Sequence, residues 1–145
     1  MKEYNRQIKS LSKKEKKTNR DSIVFLIDCS KKMFEANDDN EIAFENAIKC
    51  AIAAYQDKII SNESDLLGVC FYNTETSENL NDFKGVYMLN MLDNPDAHKI
   101  MKMEEILSKW KEEGEFSYGH FEGEFPMSDA FWSCSTMFSN WLEFL

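Results

Sequence analysis

A chain of 145 residues, 43% hydrophobic and 30% charged, has the length and composition of one globular domain with a real core. Its formal charge of −9 is unevenly spread, with +6 on residues 1–20 and −15 on the remainder. So acidic a body is a poor grip for a phosphate backbone; no apolar run reaches the roughly 18 residues of a bilayer span, and the first twenty residues hold no secretory signal.

Those twenty residues, "MKEYNRQIKSLSKKEKKTNR", read as a basic, solvated, disordered tail, and any nucleic-acid contact made here falls to it. Residues 21–145 form the folded unit. "SIVFLID" (Ser22–Asp28) is a continuous apolar run rich in β-branched residues, the pattern of a parallel strand buried on both faces. "EANDDNE" supplies turn and helix-cap residues. Helical spacing follows from Glu41 to Ile60, with Phe44, Ile48, Ala51, Tyr55 and Ile59 on one stripe. "SNESD" breaks that helix, and "LLGVCFY" (Leu66–Tyr72) is a second buried strand. After the polar "NTETSENLND", Phe83–Asn90 reads as a third strand.

"DNPDAHKI" predicts a helix start, capped by Asp93 or Asn94 with Pro95 in the first turn, where its missing N–H costs nothing. The stripe Ile100, Met103, Leu107 and Trp110 continues to Gly114. "GEFSYGHFEGEFP" is aromatic, glycine-punctuated and aperiodic, a loop over the core. A last helix begins near Ser128, with Phe131, Cys134, Phe138, Trp141 and Leu145 on one face. The order strand, helix, strand, strand, helix, helix gives an α/β layered domain with a right-handed crossover and a hairpin. Three strands are too few to cover helices on both faces, and a doubly wound domain ordinarily has five or six. The expectation is a partial domain.

"RDSIVFLIDCSKKMFE", "KIISNESDLLGVCFYNTE", "FKGVYMLNMLDNP" and "MSDAFWSCSTMF" occur in this order and at these intervals. Together they closely resemble the N-terminal von Willebrand A-like domain of the seventy-kilodalton subunit of Ku, the DNA-end-binding heterodimer. The resemblance runs from about Arg20 to Phe138. It implies an α/β, Rossmann-like layered sheet with flanking helices whose C-terminal strands are missing here. It implies a nuclear role in double-strand break repair by non-homologous end joining, and at telomeres. It also implies partners: the larger Ku subunit, double-stranded DNA ends reached through regions absent here, and other end-joining proteins. Missing strands would leave Ser22–Asp28 with an open edge, an aggregation hazard. The basic tail departs from the acidic one that family members often carry.

The turn after the first strand carries the metal question. Metal-binding A domains use Asp-x-Ser-x-Ser, in which a carboxylate and two hydroxyls give hard oxygen ligands to Mg²⁺. Asp28 and Ser30 match, but Lys32 holds the last position and Lys31 adds a second positive charge. An ammonium has no lone pair to donate, so the turn is degenerate, no metal or other cofactor is expected, and Asp28 caps the turn by accepting backbone or lysine hydrogen bonds. The family is credited with abasic-site lyase activity through a Schiff base from a lysine shortly before the first strand. Lys16 is the nearest positional match, with Lys17 beside it, in a "KKEKK" cluster whose mutual repulsion lowers amine pKa values; the plainer reading is solvated tail lysines.

His98 and His120 have no second ligand at metal spacing. The chain also has no glycine-rich phosphate loop to support the helicase or ATPase activity sometimes ascribed to the family. The glutamates of "FSYGHFEGEF" oppose nucleic-acid stacking, which leaves packing or a protein-binding surface. Cys29, Cys50, Cys70 and Cys134 form no CxxC pair and read as reduced core cysteines of an intracellular protein. Three functions follow from these residues: a non-catalytic scaffold offering acidic surface to repair proteins, a tail-borne lyase, or a metal-dependent adhesion module.

Overall fold

The computed structural model describes residues 20–62 and 64–143, with side chains given through residue 140. Strand β1 (Ser22–Asp28) leads through a short 3₁₀ turn (Lys31–Phe34) to helix α1 (Ala43–Ser61). Strands β2 (Leu66–Tyr72) and β3 (Val86–Asp93) follow, then helices α2 (Ala97–Glu113) and α3 (Met127–Glu143). The sheet order is β1-β2-β3. β1 and β2 run parallel from Ser22↔Leu66 to Asp28↔Tyr72, and β3 returns antiparallel to β2. This is the predicted α/β layering, with α1 as the crossover between parallel strands.

Hydrophobicity is strong enough on both faces to hold helices on both, contrary to the expectation from three strands. α1 and α2 cover one face, where Phe44, Ile48, Tyr55, Met103 and Ile106 pack onto Ile27, Leu67, Val69, Phe71 and Leu89. α3 covers the other, with Met137, Cys134 and Phe138 over Leu66, Cys70, Val86, Met88 and Leu92. Each fully buried large side chain contributes on the order of 1.5–3 kcal/mol, so the two clusters carry much of the stability.

Several details differ from the sequence pattern. β1 is an edge strand, half-buried rather than buried on both faces; the doubly buried strand is β2. β3 begins at Val86, because "NDFK" is recruited into a turn by Asn79. The Asn79 Oδ1 accepts from Phe83 N (2.8 Å) and Asn81 N (3.2 Å), and its Nδ2 donates to Phe83 O (2.7 Å) and Val86 O (3.0 Å).

Extending β3 to Asp93 moves the helix cap to Asp96, whose Oδ1 accepts from Lys99 N at 2.9 Å. Pro95 thus precedes the cap instead of filling the first turn. α1 starts after Ile42 with no side-chain cap, since Asn37 spends its Oδ1 on Asp39 N and Glu41 N. Its stripe is buried except Ile59, which is exposed.

α3 is rotated from its predicted face. Ala130, Ser133 and Met137 are buried while Phe131 and Trp132 face solvent, and Ser133 bridges to Asp129 O so that its hydroxyl can lie inward. The predicted contacts of Trp141 and Leu145 lie outside the described side chains. Cys50 is exposed, so only Cys29 and Cys70 are fully buried cysteines, with Cys134 between. Asn90 is buried on β3; its Nδ2 reaches Tyr55 Oη at 3.5 Å while its Oδ1 has no protein partner.

The close approach of α3 to the sheet depends on Gly68. A Cβ there would stand 3.0 Å from Met137 Sδ, 3.2 Å from Asn90 O and 3.3 Å from Leu92 N. The methionine can yield but the two backbone atoms cannot. Gly68→Ala is therefore expected to destabilise the chain by about 1–3 kcal/mol, read as a lowered urea midpoint at unchanged slope; an unchanged midpoint would show that β3 is free to move away.

Candidate functional site

The parallel register brings the carboxyl ends of β1 and β2 together, the position where open α/β sheets bind ligands. Cys29 N donates to Tyr72 O at 2.8 Å, carrying the ladder one residue past Asp28. Asp28 and Asn73 then face each other, and Asn73 Nδ2 donates to Asp28 Oδ1 at 3.0 Å. The same oxygen accepts from Ser30 N at 2.9 Å. The predicted role of Asp28 as a turn cap is thus met by a backbone N–H, with an asparagine amide as second donor in place of a lysine. Asn73 sits at φ 61°, a left-handed conformation that asparagine tolerates.

Ser30, two residues on, makes no side-chain cap bond, and Lys31 and Lys32 are exposed on the 3₁₀ turn. Asp28 Oδ1 already serves two donors, and the third position of the motif is a cation. Among the described residues, no group of three or more His, Cys, Asp or Glu side chains converges as a metal site. The burial of Cys29 pushes its thiol well up, with the Asp28 charge adding to the effect. Tyr72 is raised for the same two reasons, burial first.

His120 belongs to this corner, which sequence spacing did not reveal. Its Nδ1 lies 2.7 Å from Cys29 O, and a carbonyl can only accept, so Nδ1 carries the proton. The ring meets Phe34 edge-on at 4.8 Å and stacks near Phe116 at 5.8 Å. Phe116 in turn touches Phe34, Phe44 and Phe71 at 4.9, 5.1 and 5.9 Å. The aromatic loop is therefore core packing, one of the two readings its composition allowed. It is tied to the strand ends by Phe121 N to Asn73 O (2.8 Å), and by Glu75 N and Thr76 N, both donating to Tyr118 O at 3.0 Å.

Two adjoining hollows open between these loops. One, of about 560 Å³, is lined by Glu75, Ser77, Lys84, His120, Phe121 and Glu122. The other, about 440 Å³, shares Glu75, His120 and Glu122 and adds Lys31 and Trp110. Gly119, at φ 65°, lets the Glu75 side chain lie across the backbone; a Cβ there would be 2.6 Å from Glu75 Oε2. Carboxylates, ammoniums and an imidazole line a surface groove open to solvent. His98 lies exposed on α2, far in sequence from this corner. Lys16 and Lys17 lie outside the described residues. Asn73 and His120 are the site residues that spacing missed; the first was recoverable by aligning the ends of two parallel strands.

Residues 22–144 match the model of the Ku70/Ku80 N-terminal alpha/beta domain. A Dictyostelium discoideum protein named ATP-dependent DNA helicase ku70 is 54% identical over 123 residues, 83% of this chain and 13% of that protein. Mouse X-ray repair cross-complementing protein 6 is 36% identical over 127 residues, covering 86% of this chain and 21% of its own length. A Rhipicephalus appendiculatus protein named ATP-dependent DNA helicase 2 subunit 1 is 38% identical over 119 residues, 82% of this chain and 19% of that protein. The chain thus spans about a fifth or less of the curated relatives it matches.

The geometry of the Asp28 turn predicts no saturable heat on titration with Mg²⁺ or Mn²⁺. Saturable binding abolished by Asp28→Ala would reverse that assignment. The same substitution should lower stability by about 1–3 kcal/mol, because it strips the acceptor from Ser30 N–H and the Asn73 amide.

Proposed function

Because this chain belongs to the Ku70/Ku80 N-terminal alpha/beta domain family, we propose that it is a non-catalytic scaffold within a DNA-end-binding heterodimer. It acts in the nucleus in double-strand break repair by non-homologous end joining, and at telomeres. Its partner is the larger Ku subunit, and it offers acidic surface to other end-joining proteins. DNA ends are held by parts of the protein outside these residues.

The observation that carries this reading is charge placed on fold. Residues 21–145 hold −15, and the groove at the strand ends carries Glu75, Glu115 and Glu122 against Lys31 and Lys84. Such a surface repels a phosphate backbone and favours polar protein contacts. The word helicase in the relatives' names belongs to those longer proteins. In this chain no glycine precedes a Gly-Lys pair of the phosphate-loop type, so the sequence gives no support for nucleotide hydrolysis.

Deleting residues 22–144 from the assembled heterodimer is expected to leave DNA-end affinity within about three-fold while recruitment of end-joining factors falls. Loss of end binding with factor recruitment intact would overturn the scaffold reading. The chain alone is expected to bind duplex DNA weakly, without preference for ends, and with an affinity that drops steeply with salt.

A second reading is abasic-site lyase chemistry, favoured by the basic cluster just before β1. There Lys16 attacks the aldehyde of an abasic sugar to form a Schiff base, for which it must be partly deprotonated near neutral pH. Borohydride trapping on an abasic duplex tests it. A covalent adduct lost in the Lys16→Ala, Lys17→Ala double variant supports the assignment; no adduct, or one that survives both substitutions, sinks it.

A further inference from the structure

The face of the sheet under α3 brings two thiols together. Met137 Sδ stands over Gly68. Three residues earlier on the helix is Cys134, and two residues later on the strand is Cys70, both in the same cluster. A helix rises about 1.5 Å per residue and a strand about 3.3 Å. The two steps are therefore about 4.5 and 6.6 Å, which keeps both cysteines beside the Gly68–Met137 contact. Cys70 Sγ donates to Phe71 O at 3.8 Å, and each of the two thiols is the foremost influence on the other's acidity.

We propose that Cys70 and Cys134 form a peroxide-responsive thiol pair that closes to a disulfide tying α3 to β2. The two cysteines differ in the way such a pair requires. Cys134 is half-buried, on the solvent side, and the neighbouring Cys70 thiol lowers its pKa. Cys70 is fully buried and pushed up by the neighbouring Cys134 and by burial. Cys134 is accordingly the thiolate that meets the oxidant, and Cys70 resolves the product.

In the first step the Cys134 sulfur attacks one peroxide oxygen and the O–O bond breaks. The departing hydroxide takes a proton and leaves as water, so Cys134 becomes a sulfenic acid. In the second, the Cys70 sulfur attacks the Cys134 sulfur and the S–O bond breaks. That hydroxide takes the Cys70 proton and leaves as a second water. Two thiols are oxidised by two electrons, and one peroxide is reduced to two waters.

The remaining cysteines lack this arrangement. Cys29 is buried on the strand's exit with its Sγ directed to Ile27 O at 3.7 Å, and Cys50 lies exposed on α1, across the sheet. A disulfide needs sulfurs about 2.05 Å apart and Cα atoms within about 6.8 Å. Closure therefore fixes α3 against β2 at Cys134. The Asn81–Thr136 contact, Nδ2 to Oγ1 at 2.9 Å, joins the same stretch of α3 to the loop between β2 and β3.

The test is oxidation of the full chain, shown to be folded by circular dichroism, with hydrogen peroxide. Alkylation in denaturant and non-reducing peptide mapping follow. The expected product has lost two hydrogen masses and carries a Cys70–Cys134 linkage about ten-fold above any other cysteine pairing, reversed by dithiothreitol. Cys134→Ser abolishes it, whereas Cys70→Ser leaves a sulfenic acid on Cys134 that dimedone traps. A folded chain whose Cys50 oxidises while Cys70 and Cys134 both remain alkylatable overturns the proposal. So does a chain in which Cys70 and Cys134 pair no more often than in urea.

Discussion

The parallel pairing of β1 with β2 is the constraint on which the rest depends. Parallel neighbours cannot be joined by a tight turn, so a crossover must leave one end of the sheet and return to the other. α1 supplies it. The ladder is sealed beyond both strand ends, by Leu66 N to Asp21 O and Cys29 N to Tyr72 O, each 2.8 Å. At the amino end, Asp65 accepts from Asp21 N at 2.9 Å and pairs with Lys58 at 2.7 Å, which joins the end of the crossover helix to both strands. Asp65 is buried, and a buried carboxylate is tolerable only with such partners.

At the carboxyl end the same register decides the chemistry. It sets Asn73 against Asp28 and leaves room for the 114–126 loop to close over the strand ends. Phe34 from the 3₁₀ turn fixes that closure, stacking on Phe44 at 4.3 Å and meeting Trp110 edge-on at 4.9 Å. Trp110 is held in turn by Glu45 Oε1, 3.1 Å from its indole nitrogen. In this turn Asp28 Oδ1 accepts from both Ser30 N and Asn73 Nδ2, and aromatic packing backs it.

The two sheet edges are treated differently. Beside β3, Glu78 N donates to Val86 O (2.9 Å) and Glu78 O accepts from Met88 N (2.8 Å), covering part of that edge with loop backbone. Among the described residues no strand lies outside β1. Its backbone groups are the ones available for further pairing, and unpaired strand edges seek such partners.

The element types and most of their bounds were legible in the sequence, because continuous β-branched runs and 3.6-residue stripes report burial directly. β1, β2, α1 and the Gly114 stop of α2 needed nothing else, and "DLLGVCFYNTE" with "LDNP" carried the lineage. Lys32 at the last position of the Asp28 turn is a departure from the metal motif written in the sequence itself. What sequence spacing could not decide were relations between distant segments. The start of β3 turned on Asn79 bonding residues four and seven positions away. The face of α3 turned on Gly68, which admits Met137 rather than Phe131 to the sheet. His120 entered the site through a carbonyl ninety-one residues earlier, and Cys70 and Cys134 joined one cluster across a layer. Local patterns determine the element types; tertiary packing decides which of their faces are buried, as at β1, Ile59 and Phe131, and which buried residues meet.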